Sequence, residues 1–98
     1  MTGRLRLRVS DSLLLILDRD VVTIVTPEYE PGIFFVHVEL MEVHVAPKRD
    51  RWRVTIRTRG VSRPFQVLPF DVPADRIAAF EEFIAEARRA REASLAEG

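Results

Sequence analysis

The chain contains no cysteine. That excludes a disulfide, a thiolate nucleophile and a cysteine–zinc site. Glycine is scarce, with four in 98 residues, and none of them forms a glycine-rich phosphate loop. Net charge is absent as well: 15 basic residues balance 15 acidic ones. A dedicated nucleic-acid binder usually carries a basic excess, so nucleic acid is not an expected partner. No long apolar run is present. "LLLIL" at 13–17 is far too short to cross a membrane as a helix. The opening stretch "MTGRLRLRVS" has no signal-peptide hydrophobic region, and a cytoplasmic protein is expected. There is no G-x-S-x-G and no histidine placed with an obvious serine partner. The chain therefore reads as a non-enzyme without cofactors.

What is present is an ordered series of strands. "RLRLRV" (4–9) alternates strictly, with Leu5, Leu7 and Val9 on one face. "LLLIL" (13–17), "VVTIV" (21–25), "IFFVHV" (33–38), "MEVHV" (41–45), "RWRVTIRT" (51–58) and "FQVLPF" (65–70) follow, separated by turn chemistry. Loops are expected at 26–32 and 59–64, and a bend between 38 and 41. After residue 70 the period changes to that of a helix, over about 73–92. Pro73 suits its first turn. Asp71 and Asp75 suit its positive end, and Arg88, Arg89 and Arg91 its negative end. Ile77, Phe80, Phe83, Ile84 and Ala87 share one face. The tail 93–98 is expected to fray. The sum is one domain, α+β but mainly β.

Turn lengths convert these strands into registers. A four-residue loop at 47–50 pairs Val45 with Trp52, Val43 with Val54 and Met41 with Ile56, all inward. His44 and Glu42 then lie outward, beside Arg53 and Thr55. A three-residue turn at 10–12 pairs Val9 with Leu13, Leu7 with Leu15 and Leu5 with Leu17. A two-residue turn at 19–20 pairs Leu17 with Val22 and Leu15 with Ile24. The inner face is then filled, yet Leu14, Ile16, Val21 and Val25 remain on the outer face. Such an apolar cluster has to be covered by the chain itself, by a second copy or by a partner protein.

Two polar patterns invite function. Arg4, Arg6 and Arg8 alternate along the first strand, and Arg53 and Arg57 along the sixth. The plain reading is the solvated side of a sheet. The functional one is a surface for phosphate groups or an anionic membrane. Glu42 partly neutralises the second set. The other pattern is "HVELMEVH" (37–44). His37, Glu39, Glu42 and His44 could form a metal site only if a sharp hairpin at Leu40–Met41 folded them together. Leu-Met lacks the positive-φ preference of tight hairpins, so no metal is expected.

Seven short strands followed by one amphipathic helix resemble the bacterial pleckstrin-homology-like domain. The matching stretches are "FVHVELMEVHV" (35–45), "RWRVTIRT" (51–58) and "FDVPADRIAAFEEFI" (70–84). The resemblance implies a seven-stranded antiparallel barrel or split sheet, with the helix closing one open end. Members of that group bind lipids, peptides or proteins, and many bacterial ones self-assemble. The chain departs from the pattern at Val36 and His37. Its first turn, "SDS", lacks the basic residues that mark phosphoinositide binders, so no lipid site carries over. What the resemblance implies is an interaction module for a protein partner or for itself.

Overall fold

Seven antiparallel strands and one C-terminal helix form in the expected order. The computed structural model of the chain describes residues 4–26, 32–59 and 66–97. The strands are β1 (Leu5–Ser10), β2 (Leu13–Asp18), β3 (Val21–Val25), β4 (Ile33–His37), β5 (Met41–Pro47), β6 (Arg51–Thr58) and β7 (Gln66–Pro73). A 3₁₀ turn (Ala74–Arg76) leads into α1 (Ile77–Glu97). Strands β1-β2-β3-β4 make one sheet and β5-β6-β7 the other. Strand β1 lies against β7 and α1. Among the described residues no hydrogen-bonded ladder joins β1 to β7 or β4 to β5, so the sheets do not close into a barrel. Of the expected loops, 27–31 and 60–64 lie outside the described residues.

The faces follow the period of two. Leu13, Leu15 and Leu17 on β2 are buried, as are Val22 and Ile24 on β3 and Val54 and Ile56 on β6. Phe80, Phe83, Ile84 and Ala87 of α1 complete one core shared by both sheets. Trp52 points inward, with its ring 6.4 Å from that of Phe80 in an edge-to-face contact. The expected pairs Leu5–Leu17, Leu7–Leu15, Leu17–Val22 and Leu15–Ile24 all form.

Other local expectations are corrected. Val9 does not face Leu13: a bulge between Arg8 and Ser10 sets Ser10 opposite Leu13. The turn is therefore only Asp11–Ser12, with the Ser12 N–H donating to the Ser10 hydroxyl. The β5–β6 register is displaced by two residues. Val45 faces Val54, Val43 faces Ile56, Met41 faces Thr58 and Trp52 faces Pro47. The cause is a tighter turn, in which the Lys48 N–H donates to the Arg51 carbonyl at 2.8 Å. A shift of two preserves parity, so each side chain keeps its face while its partner changes. His44 now lies opposite Thr55, and Glu42 opposite Arg57.

Strand β7 runs on to Pro73 because β6 offers partners as far as Arg51. Asp71 is therefore a strand residue, bridging Arg51 at 3.4 Å and Arg53 at 3.2 Å. Pro73 precedes the 3₁₀ turn with extended backbone, φ −62° and ψ 156°. The helix also outlasts its expected end. Residues 93–97 are helical, held where the Ser94 hydroxyl donates to Glu39 Oε1 at 3.1 Å. Arg88, Arg89 and Arg91 thus sit in mid-helix, not in the last turn.

The β2–β3 turn carries a strained residue, since Arg19 has φ 60°. A side chain with a Cβ is disfavoured there, whereas glycine is not. Arg19→Gly is expected to raise unfolding stability by about 0.5–1 kcal/mol, the relief of strain outweighing glycine's larger unfolded-state entropy. Urea unfolding measures it.

Candidate functional site

The outer face of the first sheet assembles most of the residues singled out by sequence. Cross-strand partners share a face, so the registers define three rows. One row is Arg8, Leu14, Val25 and Ile33. The next is Arg6, Ile16, Thr23 and Phe35. The third holds Asp18, Val21 and His37, and Arg4 joins it through its Nε, 3.2 Å from Asp18 Oδ2. Leu14, Ile16, Val21 and Val25 therefore converge as expected and are half-buried. The helix does not cover them, because its apolar stripe is spent on the core at the other side of the sheet.

Sequence reasoning missed the two most prominent members of this face. Ile33 is 49% exposed and Phe35 is 67% exposed. Both lie on β4, an edge strand of the sheet. "IFFV" is apolar at every position, so parity alone gives no hint of which residues face out. The register against β3 decides it, pairing Phe35 with Thr23 and Ile33 with Val25.

The arginines are divided between the two sheets. Arg4, Arg6 and Arg8 border the apolar face on β1. Arg53 and Arg57 lie on β6, in the other sheet. Strand β7 comes between them, and its Asp71 binds Arg53. Arg57 faces Glu42 across the β5–β6 ladder. Among the described residues, Arg6 and Arg8 have no carboxylate within ion-pair distance.

The two histidines are separated by the change of sheet. Residues 38–40 form a turn, after which β5 pairs with β6 and not with β4, so the tight hairpin that a shared metal would require does not form. His37 instead joins a polar chain that includes Asp20. The Glu39 N–H donates to His37 Nδ1 at 3.2 Å. In the neutral ring the proton is then on Nε2, which donates to Asp20 Oδ2 at 3.1 Å. Glu39 in turn accepts from Ser94, so this chain ties the β2–β3 turn to the late helix. The two ring nitrogens face carboxylates on opposite sides. Among the described residues no three such groups converge on a metal position.

No helix is long and apolar enough to cross a membrane among the described residues. No protein-family model, curated protein or solved structure matches the chain.

Proposed function

We propose that this protein is a non-catalytic interaction module, of the pleckstrin-homology-like kind, that associates with a second copy of itself. The outer face of the first sheet is the contact. The observation that carries this reading is Phe35, a large aromatic ring two-thirds exposed on an edge strand. It continues a face already lined by Leu14, Ile16 and Val25. Soluble proteins blunt exposed edges with lysine, proline or charge. Strand β4, "IFFVH", has none of these apart from its terminal His37. A self-complementary patch favours a two-fold dimer, because each copy supplies the same surface.

The test is mass in solution by light scattering across a wide concentration range. The expected result is a concentration-dependent dimer that Phe35→Glu and Ile16→Glu each weaken at least tenfold, with unchanged circular dichroism. A wild-type protein that stays monomeric throughout overturns the reading.

A second reading rests on Arg6 and Arg8, which border the same face without ion-pair partners. Arginines beside apolar side chains suit the surface of an anionic membrane. Flotation with anionic vesicles, reversed by salt and abolished by Arg6→Gln with Arg8→Gln, is its expected signature. Equal flotation with neutral vesicles would dismiss a role for these arginines.

A further inference from the structure

A cleft of about 290 Å³ runs between the free edge of β5 and α1. Met41 and His44 of the strand line it, with Ile84 and Ala87 of the helix. Arg59, Arg88 and Arg91 also line it, and among the described residues Glu42 is the only acidic one that does. None of these charged residues is among the anion-binding candidates that strand alternation suggests. Three guanidinium groups against one carboxylate leave a formal charge of +2 with His44 neutral.

Among the described residues, four arginines elsewhere on this molecule are paired with carboxylates, whereas Arg6 and Arg8 are not. Arg4 meets Asp18, Arg51 and Arg53 meet Asp71, and Arg89 meets Glu86. The broader groove on the other flank of α1 mixes Arg4, Arg19 and Arg89 with Glu82 and Glu86. In the cleft, by contrast, neither Arg59, Arg88 nor Arg91 has a carboxylate within ion-pair distance among the described residues. Arg59 Nη2 donates to the Glu39 carbonyl at 3.3 Å. That bond orients the guanidinium without neutralising it. A second observation is independent of charge counting. Arg91 Nε is buried and has no hydrogen-bond partner among the described residues. Buried donors are nearly always satisfied, so an orphan on a side chain lining a cleft points to an absent acceptor.

We propose that this cleft binds the phosphate group of a small soluble molecule, either inorganic phosphate or a small phosphomonoester. A phosphate dianion matches the excess of two positive charges. Its several acceptor oxygens can take paired N–H bonds from more than one guanidinium at once. A carboxylate offers one charge and two oxygens, and would leave part of the site unmatched. The volume is just below the roughly 300–1,000 Å³ of sites for drug-sized ligands. It holds a phosphate with a short substituent rather than a nucleotide. Ile84 and Ala87, both buried, give the site a dry floor that strengthens each charge-assisted bond.

The experiment is a titration of the full chain with inorganic phosphate at constant ionic strength. It is read by amide and arginine Nε–H nuclear magnetic resonance, with chloride and sulfate as controls. Expected are saturable shifts at Arg59, Arg88 and Arg91 Nε–H and at the amides of 42–44. Phosphate is expected to bind more tightly above the pH at which it becomes a dianion. Arg88→Gln with Arg91→Gln is expected to weaken binding at least tenfold, while Arg6→Gln with Arg8→Gln leaves it unchanged. Arg88→Gln alone, at an exposed position, keeps the test usable if the double variant misfolds. Shifts that chloride reproduces, or that survive loss of Arg88 and Arg91, overturn the site. A separate arm uses vesicles containing phosphatidic acid. Binding to those vesicles with none to free phosphate overturns the small-molecule ligand in favour of a lipid headgroup.

Discussion

Phe80→Ala is expected to lower the free energy of unfolding by about 3–5 kcal/mol, the usual cost of emptying a buried phenylalanine site. Phe80 is 1% exposed and stands where the helix meets both sheets. Its ring makes edge-to-face contacts with Trp52 and Phe70, each at 6.4 Å. Each such contact adds about 0.5–1.5 kcal/mol beyond the burial of area. Small domains have only about 5–15 kcal/mol of stability in total, so this one change removes at least about a fifth of it. Trp52 is the only tryptophan and touches the deleted ring. Its emission in urea therefore reports both the loss of stability and the loss of the contact. Glu81→Ala, one residue away and exposed, is expected to change stability by no more than about 0.5 kcal/mol. A Phe80→Ala cost below about 1 kcal/mol would mean that the helix is not seated on this core.

Alternation and turn length reveal which side of most strands faces the core, β4 excepted, and they do so for a physical reason. The side-chain period of a strand is two, and a buried face tolerates no odd slip. Partners were harder to read. "PKRD" can close either a two-residue or a four-residue turn, and both keep Val43 and Val45 inward, so nothing in the pattern separates them. Strand β7 was cut short for a similar reason. Pro73 reads as a first-turn helix residue, yet β7 is an edge of its sheet, where a missing N–H does no harm. The late helix was hidden because its anchor, Glu39, is 55 residues away in sequence from Ser94.

The candidate surfaces divide along the same line. Leu14, Ile16, Val21 and Val25 were legible because they violate alternation within strands whose other face is plainly the core. Ile33 and Phe35 were not, since their strand is apolar on both sides. The basic cleft was least legible of all. Arg88 and Arg91 look like solvated helix charge until the fold sets Arg59 and the open edge of β5 beside them.

Adjacent residues on β2 give the second large effect, and they separate core from interface. Leu15 is completely buried and faces the core; Ile16 is half-buried and faces out. Leu15→Ala is expected to cost about 2–5 kcal/mol at any protein concentration. Ile16→Ala in the monomer forfeits only part of a side chain's burial, about 1 kcal/mol. Association changes that comparison. A second copy that binds only the folded state stabilises it by RT ln(1 + [L]/Kd), which grows by about 1.4 kcal/mol for each tenfold rise in concentration once the site is occupied. Wild-type stability should therefore climb with concentration. Leu15→Ala should lower that curve while preserving its slope, because the outer face is intact. Ile16→Ala should flatten it, so that its apparent cost grows from about 1 kcal/mol in dilute solution to several at high concentration. Urea midpoints measured over a hundredfold range of concentration distinguish the two. If Ile16→Ala costs the same at both ends of the range, the outer face is not where the copies meet, and Phe35 is exposed for some other partner.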